Sequence, residues 1–482
     1  MGSGIMKNFA VKESFASFQT SQGVETRASL LSFTRHLAVL EIYSTNGVIQ
    51  TSEVLSEFKI IWNDRTLYLG RAVVRNLVNT GSVTVCETTL DDSWVDVDFS
   101  LSPEMLGNLR GQFAGFMQEW EKFYRVRADF KVVIGDLQMM LTDLRLWLDQ
   151  VELGIRSSPS ADRTELERKI LDEIAEPIVE SINAFIDRFE TIAQELEPEL
   201  QPAHRVYLRR QLHPLVLSSP FAYRAFHKPL GYAGDYEMVD MMLRSPYEGS
   251  SLFAKIINVW LLRQMPAQAH RNRVNYLTNN LAEAMARAQG QGRTARVFNL
   301  GCGPAEEVHR LLKEQPAADR VQFTLLDFNE ETLVHLRATL EETKRKYHCS
   351  PSIQLVRKSV HQLLKEGGRS VERTPEKQYD LVYCAGLFDY LSDPICKRLM
   401  ELLYAMVAPG GLVVATNVSN AVGTFKPFRH SMEYILDWNL VYRDGKRVAA
   451  LAPDSVPADN VLVMSETTGV NLFLELRKPN HA

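Results

Sequence analysis

Apolar positions are spaced differently in three stretches of the chain. From about residue 8 to 100 there are short runs rich in Val, Ile, Thr and Tyr, at Leu37–Tyr43, Phe58–Trp62, Thr66–Val74 and Ser82–Glu87. Asn-Gly, Asn-Asp and Thr-Gly pairs separate them, which predicts the strands and turns of a small sheet or barrel. At Ser102-Pro103-Glu104 an N-cap residue, a proline at the first helical position and an acidic first turn predict a helix start. To about residue 200 the apolar residues recur at helical spacing, in Phe113, Phe116, Trp120 and Phe123 and again in Leu137, Met140, Leu141, Leu144, Leu148 and Val151. A break at Ser157-Ser158-Pro159-Ser160 precedes a second helical stretch, Glu165 to about Glu197, whose charges form a solvated face. Farther on, buried-strand patterns alternate with helical ones at Arg296–Leu300, Thr324–Asp327, Tyr379–Cys384 and Met406–Ala415, and an antiparallel hairpin closes the series near Val461–Arg477. The expected organisation is a small β domain at 1–100, a helical region at 101–225, and a doubly wound α/β domain at 226–482 that begins with a lid segment.

Composition narrows the picture modestly. With 482 residues, several cores are expected. A formal charge of -5, from 54 basic and 59 acidic residues, gives no nucleic-acid footprint. No apolar run reaches the length of a membrane span and no secretory signal is seen; Met1–Ile5, before Met6, reads as a cloning remnant. The cysteines, Cys86, Cys302, Cys349, Cys384 and Cys396, are odd in number and scattered, so neither a disulfide framework nor a metal site is expected, and a reducing cytoplasm fits best.

The chemistry is concentrated in the last region. Arg296–Leu300 runs into Gly301-Cys302-Gly303-Pro304 and then into a helical stretch, Glu306–Leu312. Strand, glycine turn and helix in that order bring a ligand against backbone amides. Thr324–Asp327 is a second strand ending on a carboxylate, placed to accept from both ribose hydroxyls. A nicotinamide dinucleotide would also use such a carboxylate. The turn speaks against it, because it lacks the third glycine of GxGxxG and puts Glu306 and Glu307 where a pyrophosphate needs the helix N-terminus. With Tyr379–Cys384 as fourth strand and Pro409-Gly410-Gly411 leading into the fifth, the pattern resembles the class I S-adenosylmethionine-dependent methyltransferases. That resemblance implies a Rossmann-like seven-stranded domain with S-adenosylmethionine as cofactor. It implies Gly301 and Gly303 at the methionine portion, Asp327 at the ribose, and Phe328, Ser359 and Val360 around the adenine. Arg273 is the candidate for the cofactor carboxylate and Asp235 for its ammonium group.

Three further stretches are His227–Tyr236 with Glu248–Phe253 and Arg271–Arg273, then Cys384–Leu391, and then Asn417 through Arg429–Glu433 to Leu436–Arg443. With Thr468–Phe473 they resemble the bacterial proteins that make 3-hydroxypalmitic acid methyl ester, over roughly residues 200 to 480. The resemblance implies carboxyl O-methylation of a fatty, hydroxy-fatty or other small organic acid. A carboxylate is ionised at neutral pH and needs orientation more than a base. Tyr232, Tyr390 and Asn417 are the candidate catalytic donors, with Tyr236, Phe388, Arg429 and Tyr442 as candidate substrate contacts. Gly231–Gly234 reads as a flexible turn of a lid. His309, His335 and His361 each stand alone and read as surface or core residues. Carboxylates at Glu433 and Asp437 would repel an acid and read as structural pairs. Two other functions stay open: an N- or O-methyltransferase acting on another natural-product scaffold, and a regulatory protein whose N-terminal domain senses a ligand. For that domain a PilZ-type barrel is the fold candidate by resemblance, but the full signature, RxxxR followed by (D/N)xSxxG, is absent: Arg71–Arg75 has the first spacing and no (D/N)xSxxG follows it. A structural or dimerising role fits it better, which makes a homodimer one option.

Overall fold

The computed structural model describes residues 14–43, 49–62, 65–79, 83–91, 93–95, 109–121, 125–158, 162–315, 318–367, 378–420 and 428–480. The expected helix start at Ser102-Pro103-Glu104, Phe123, and Pro159 and Ser160 of the expected break lie outside them. The chain forms two compact units. The first comprises Met1–Ala233, Ser245–Gln264 and Pro427–Asn439, and the second Gly234–Arg244, Met265–Lys426 and Leu440–Ala482.

In the first unit β1 (Ser14–Gln19), β2 (Glu25–Phe33), β3 (Leu37–Ile42), β4 (Val54–Trp62), β5 (Arg65–Asn79) and β6 (Thr84–Leu90) close into an antiparallel barrel in the order β1-β2-β3-β6-β5-β4. Alternation sets the inward face: Phe18, Leu30, Leu40, Phe58, Ile60 and Val74 fill the interior. The expected small β domain is therefore a closed barrel, with no free sheet edge. A buried carboxylate, Glu53, holds the loop before β4, accepting from Ser21 N (2.8 Å), Ser21 Oγ (2.7 Å) and Gln50 N (2.8 Å). Burial pushes its pKa up.

Helices follow: α1 (Leu109–Glu119), α2 (Ala128–Ser157), α3 (Arg163–Gln194), α4 (Gln201–Val216) and α5 (Pro220–His227), with α7 (Leu252–Leu262) returning after an excursion into the second unit. α3 is started by Asp162, which accepts from Glu165 N at 2.9 Å. α2 packs on α3, α4 and α7, burying Phe130, Val133, Ile134, Leu137, Leu141, Leu148 and Ile155 at helical spacing. The short α13 (Arg429–Ile435) belongs to this unit as well. After it, the Asp437 carboxylate receives Arg209 at 2.9 Å and Arg205 at 3.6 Å, and Glu433 pairs with Arg429 at 2.7 Å. These ion pairs offset the charge of the two buried carboxylates, while the three guanidinium nitrogens of Arg205 make no hydrogen bond among the described residues.

The second unit contains α6 (Tyr236–Leu243), α8 (Met265–Gly290), β7 (Ala295–Leu300), α9 (Glu306–Glu314), β8 (Val321–Asp327), α10 (Glu330–Tyr347), β9 (Ser352–Arg357), α11 (Val360–Gly367), β10 (Tyr379–Cys384), α12 (Asp393–Met406), β11 (Val407–Val418), α14 (Gly445–Ala449), β12 (Val461–Ser465) and β13 (Asn471–Arg477). The sheet order is β12-β13-β11-β10-β7-β8-β9. β7 to β11 pair in parallel, while β13 runs antiparallel to both β11 and β12. Buried on both faces, the parallel strands read as nearly continuous apolar runs such as Leu381–Cys384 and Leu412–Ala415. Because β7 to β11 point the same way, the turns that follow them share one edge of the sheet.

Candidate functional site

The site starts from the turn after β7. Gly301 and Gly303 have φ of 72° and 52°, a region that side chains avoid. The amides of Gly301 and Cys302 donate to Leu326 O at 2.8 and 3.0 Å. The Gly303 amide donates to Asp327 Oδ2 at 3.2 Å, and Asn329 N donates to Oδ1 at 3.0 Å. Each Asp327 oxygen thus holds one backbone amide and keeps acceptor capacity for a second donor. Burial pushes the carboxyl above its ordinary pKa, while the amides of Asn329, Gly303 and Phe328 pull it back. A Cβ placed on Gly303 would meet nothing within 4 Å, so the turn opens onto space beside the carboxylate.

At the start of α9, Glu307 is buried and accepts from Tyr383 Oη at 2.7 Å and Asn299 Nδ2 at 3.2 Å. Burial raises its pKa. Two acids in the first turn, Glu306 and Glu307, suit a cation near this turn better than a pyrophosphate.

Arg273 comes from α8, and Gly386 from the turn after β10. The Gly386 amide donates to Thr416 Oγ1 at 2.9 Å, and its φ is 88°. A Cβ there would lie 3.1 Å from Arg273 Nη1 and 3.3 Å from Nη2. The guanidinium therefore rests over a residue that must be glycine. Arg273 Nη2 lies 2.7 Å from His270 Nδ1. Burial, reinforced by Arg273, holds His270 far below its ordinary pKa, so the neutral ring accepts this bond. In Gly386→Ala we expect the KM for the cofactor to rise about tenfold with kcat little changed, since a non-glycine residue in this backbone region costs about 1–3 kcal/mol and would displace Arg273. Steady-state kinetics below the variant's melting temperature, where circular dichroism shows it folded, check it; an unchanged KM would remove Arg273 from the cofactor site.

After Gly386 come Phe388, which is buried, and Asp389, whose Oδ1 accepts from Val418 N at 2.6 Å and whose carbonyl accepts from Val441 N at 2.7 Å. Burial pushes the Asp389 carboxyl up to about 6, opposed by Arg273 and Arg443. Arg443 is fully buried: Nη1 donates to Phe388 O at 2.8 Å and to Asn417 Oδ1, Nη2 to Leu391 O at 2.5 Å, and Nε to Asp393 Oδ1 at 2.8 Å.

The structure brings most sequence candidates to this edge of the second unit. Gly301, Gly303, Asp327, Phe328, Ser359, Val360, Phe388, Tyr390 and Asn417 all stand in or beside the turns after β7, β8, β9, β10 and β11. Several have structural duties. Ser359 Oγ accepts from Gln362 N at 3.3 Å, starting α11. Asp235 caps α6, accepting from Met238 N at 3.0 Å. Tyr236 Oη donates to Glu331 at 3.0 Å and its ring stacks on His335. His309 Nδ1 lies 2.7 Å from Thr343 Oγ1 and His335 pairs with Asp240 at 3.1 Å. Asn417 is spent on the fold: Nδ2 donates to Val418 O and Val441 O, both at 2.9 Å, while Oδ1 takes Arg443. A buried amide with those bonds braces the end of β11 and has little left for an acid. Tyr232 and Arg429 belong to the first unit.

Residues 298–413 match the family model described as "Methyltransferase domain". This stretch is a methyltransferase domain. No curated protein matches the chain. Among solved structures, it is similar to a possible exported protein from Bordetella parapertussis, at 17% identity over 63% of this chain and 97% of that one, with a TM-score of 0.44. It is also similar to the S-adenosylmethionine-dependent methyltransferase SibL in its apo form, at 15% identity over 74% and 100%, with a TM-score of 0.35. The magnesium protoporphyrin IX methyltransferase of Synechocystis PCC 6803 with bound SAH is similar at 9% identity over 45% and 86%, with a TM-score of 0.31. At these scores the likenesses do not bear on substrate.

Within and around the methyltransferase domain, the sequence reading passed over Asp389, Arg443, His270 and Tyr383 as site residues. Asp389 and Arg443 lay inside the quoted Cys384–Leu391 and Leu436–Arg443 stretches. Tyr383 lay at an inward position of a strand, where an apolar reading hides a hydroxyl.

Proposed function

We propose that the chain is an S-adenosylmethionine-dependent O-methyltransferase that converts the carboxylate of a fatty, hydroxy-fatty or other small organic acid to its methyl ester. The cofactor is S-adenosylmethionine. When bound, it supplies an electrophilic methyl group on a positively charged sulfur. Asp327 accepts from the ribose hydroxyls with the lone pairs its two amides leave unused. Arg273, held by His270 and seated over Gly386, offers its guanidinium to the cofactor carboxylate. Glu306 and Glu307 put negative charge near a cationic ligand.

One observation carries the choice of acceptor. Among the described residues after β10 and at the end of β11, 385–391 and 417–420, the single carboxylate is Asp389 and there is no His or Lys. Asp389 is committed to Val418 N. An amine or phenol acceptor must lose a proton, whereas an ionised carboxylate arrives as the nucleophile. The half-buried Tyr390 and Tyr442 provide hydroxyl donors to orient it, and Phe388 and Leu387 offer apolar surface to a tail. Orientation and exclusion of water then do most of the catalytic work.

The test is incubation with methyl-labelled cofactor and a panel of fatty acids, hydroxy acids, amines and phenols, with products read by mass spectrometry. Labelled methyl esters are expected, and the Tyr390→Phe variant should lower kcat for acids by about tenfold, the scale of one lost hydrogen bond. Labelled amines or aryl ethers as the main products would replace the reading with a methyltransferase on another scaffold.

A further inference from the structure

The outward face of α2 carries a pattern that the described residues of its own unit leave exposed. Val132, Met139, Leu146 and Leu153 recur every seven residues along this 30-residue helix and are 54%, 60%, 58% and 60% exposed. They lie on the side opposite Leu137, Leu141 and Leu148, which face the core of the unit. A second series, Ala128, Gly135 and Thr142, also repeats every seven residues. The two interleave at alternating steps of four and three, the spacing of a coiled-coil seam, over more than three heptads.

Gly135 adds an independent observation. Glycine inside a helix costs about 1 kcal/mol relative to alanine, and a Cβ placed there would meet nothing within 4 Å. Among the described residues nothing asks for the missing methyl group; a second backbone approaching closely would.

We propose that α2 pairs antiparallel with α2 of a second copy of this chain. The large and small series select this arrangement. In an antiparallel pair three of the four large positions face a small one of the other helix, Leu153 over Ala128, Leu146 over Gly135 and Met139 over Thr142, while Val132 meets the next member of the second series, Asp149. A parallel pair would stack large on large and leave voids between the small residues. The same register brings the exposed Lys131 of each copy beside that exposed Asp149 of the other, twice across the two-fold axis, so the carboxylate at each end of the seam has a cation next to it. On the other flank the register brings Asp136 of each copy toward Asp143 of the other, like charges whose repulsion makes the pair stronger at high salt than at low. A helix of 30 residues is about 45 Å long, and pairing along it covers roughly 800 Å² per chain, the size of an ordinary specific interface.

The experiment uses the full chain. Sedimentation velocity between about 1 and 100 μM should give a dimer for the unaltered protein, and a monomer of unchanged circular dichroism for Met139→Glu combined with Leu146→Glu. Gly135→Ala should weaken the dimer at least tenfold while leaving the monomer as stable or more so, which separates partner packing from folding. Cysteine pairs fix the direction: Lys131→Cys with Asp149→Cys should cross-link between copies, and Lys131→Cys alone should not. A monomer throughout the range, a dimer indifferent to the Met139 and Leu146 changes, or cross-linking by Lys131→Cys alone would overturn the proposal.

Discussion

Asp327→Ala is expected to weaken S-adenosylmethionine binding by about two to three orders of magnitude and to bring methyl transfer below detection. Two losses combine. The ribose hydroxyls lose a buried carboxylate acceptor, and charged hydrogen bonds of that kind are worth about 1.5–3 kcal/mol each. The amides of Gly303 and Asn329, which donate to Oδ2 and Oδ1, lose their acceptor, so the glycine turn loses the bond that fixes it against β8. Since the carboxyl is raised in pKa by burial, removing it relieves an unfavourable charge, and the variant should fold. Titration calorimetry with S-adenosylmethionine checks the binding term, with a melting curve beside it. Affinity retained within about fivefold in a folded variant would take Asp327 out of the cofactor site.

Arg443→Met is expected to cost about 3–5 kcal/mol of stability, the scale for removing one partner from a buried charged network. For a unit of this size that lowers the melting temperature by roughly 10 °C. The methionine keeps much of the volume but abandons Phe388 O, Leu391 O and Asn417 Oδ1, all held by one guanidinium. Those three groups lie on the turn after β10 and the end of β11, where the acceptor is proposed to bind. Activity should therefore fall further than the folded fraction does. Arg443→Lys should recover only part of the loss, because an ammonium cannot fork to several carbonyls in one plane. Differential scanning calorimetry checks it, and a melting temperature within about 2 °C of the unaltered protein would show that the network is dispensable.

The parts of this fold that were legible in sequence are those where one periodicity dominates. Leu37–Tyr43 and Arg296–Leu300 correspond closely to strands because alternating or continuous apolar character has few other readings. Strands such as Ser14–Gln19 and Glu25–Phe33 escaped because serine, glutamine and charged residues occupy their outward positions and dilute the signal. The glycine turn and Asp327 could be read because backbone geometry demands glycine and the carboxylate ends a strand. Arg443 and Asp389 could not be weighted correctly, since a buried ion is defined by partners that close only in three dimensions: Asp393, Asn417 and Val418. Asn417 shows the converse. Its position at the end of a strand suggested ligand chemistry, while Val441 O and Arg443 claim its amide.

The path of the chain between its two units bears on how the molecule can be made. Residues 245–264 and 427–439 complete the first unit, yet much of the second unit is synthesised between them. During translation the first helices therefore wait, with apolar surface uncovered, until Phe428 to Trp438 leave the ribosome. Long loops of this kind slow folding and prolong exposure of unfinished cores. Neither unit corresponds to a continuous stretch of gene, so exchanging one of them between relatives by a single splice would leave both unfinished.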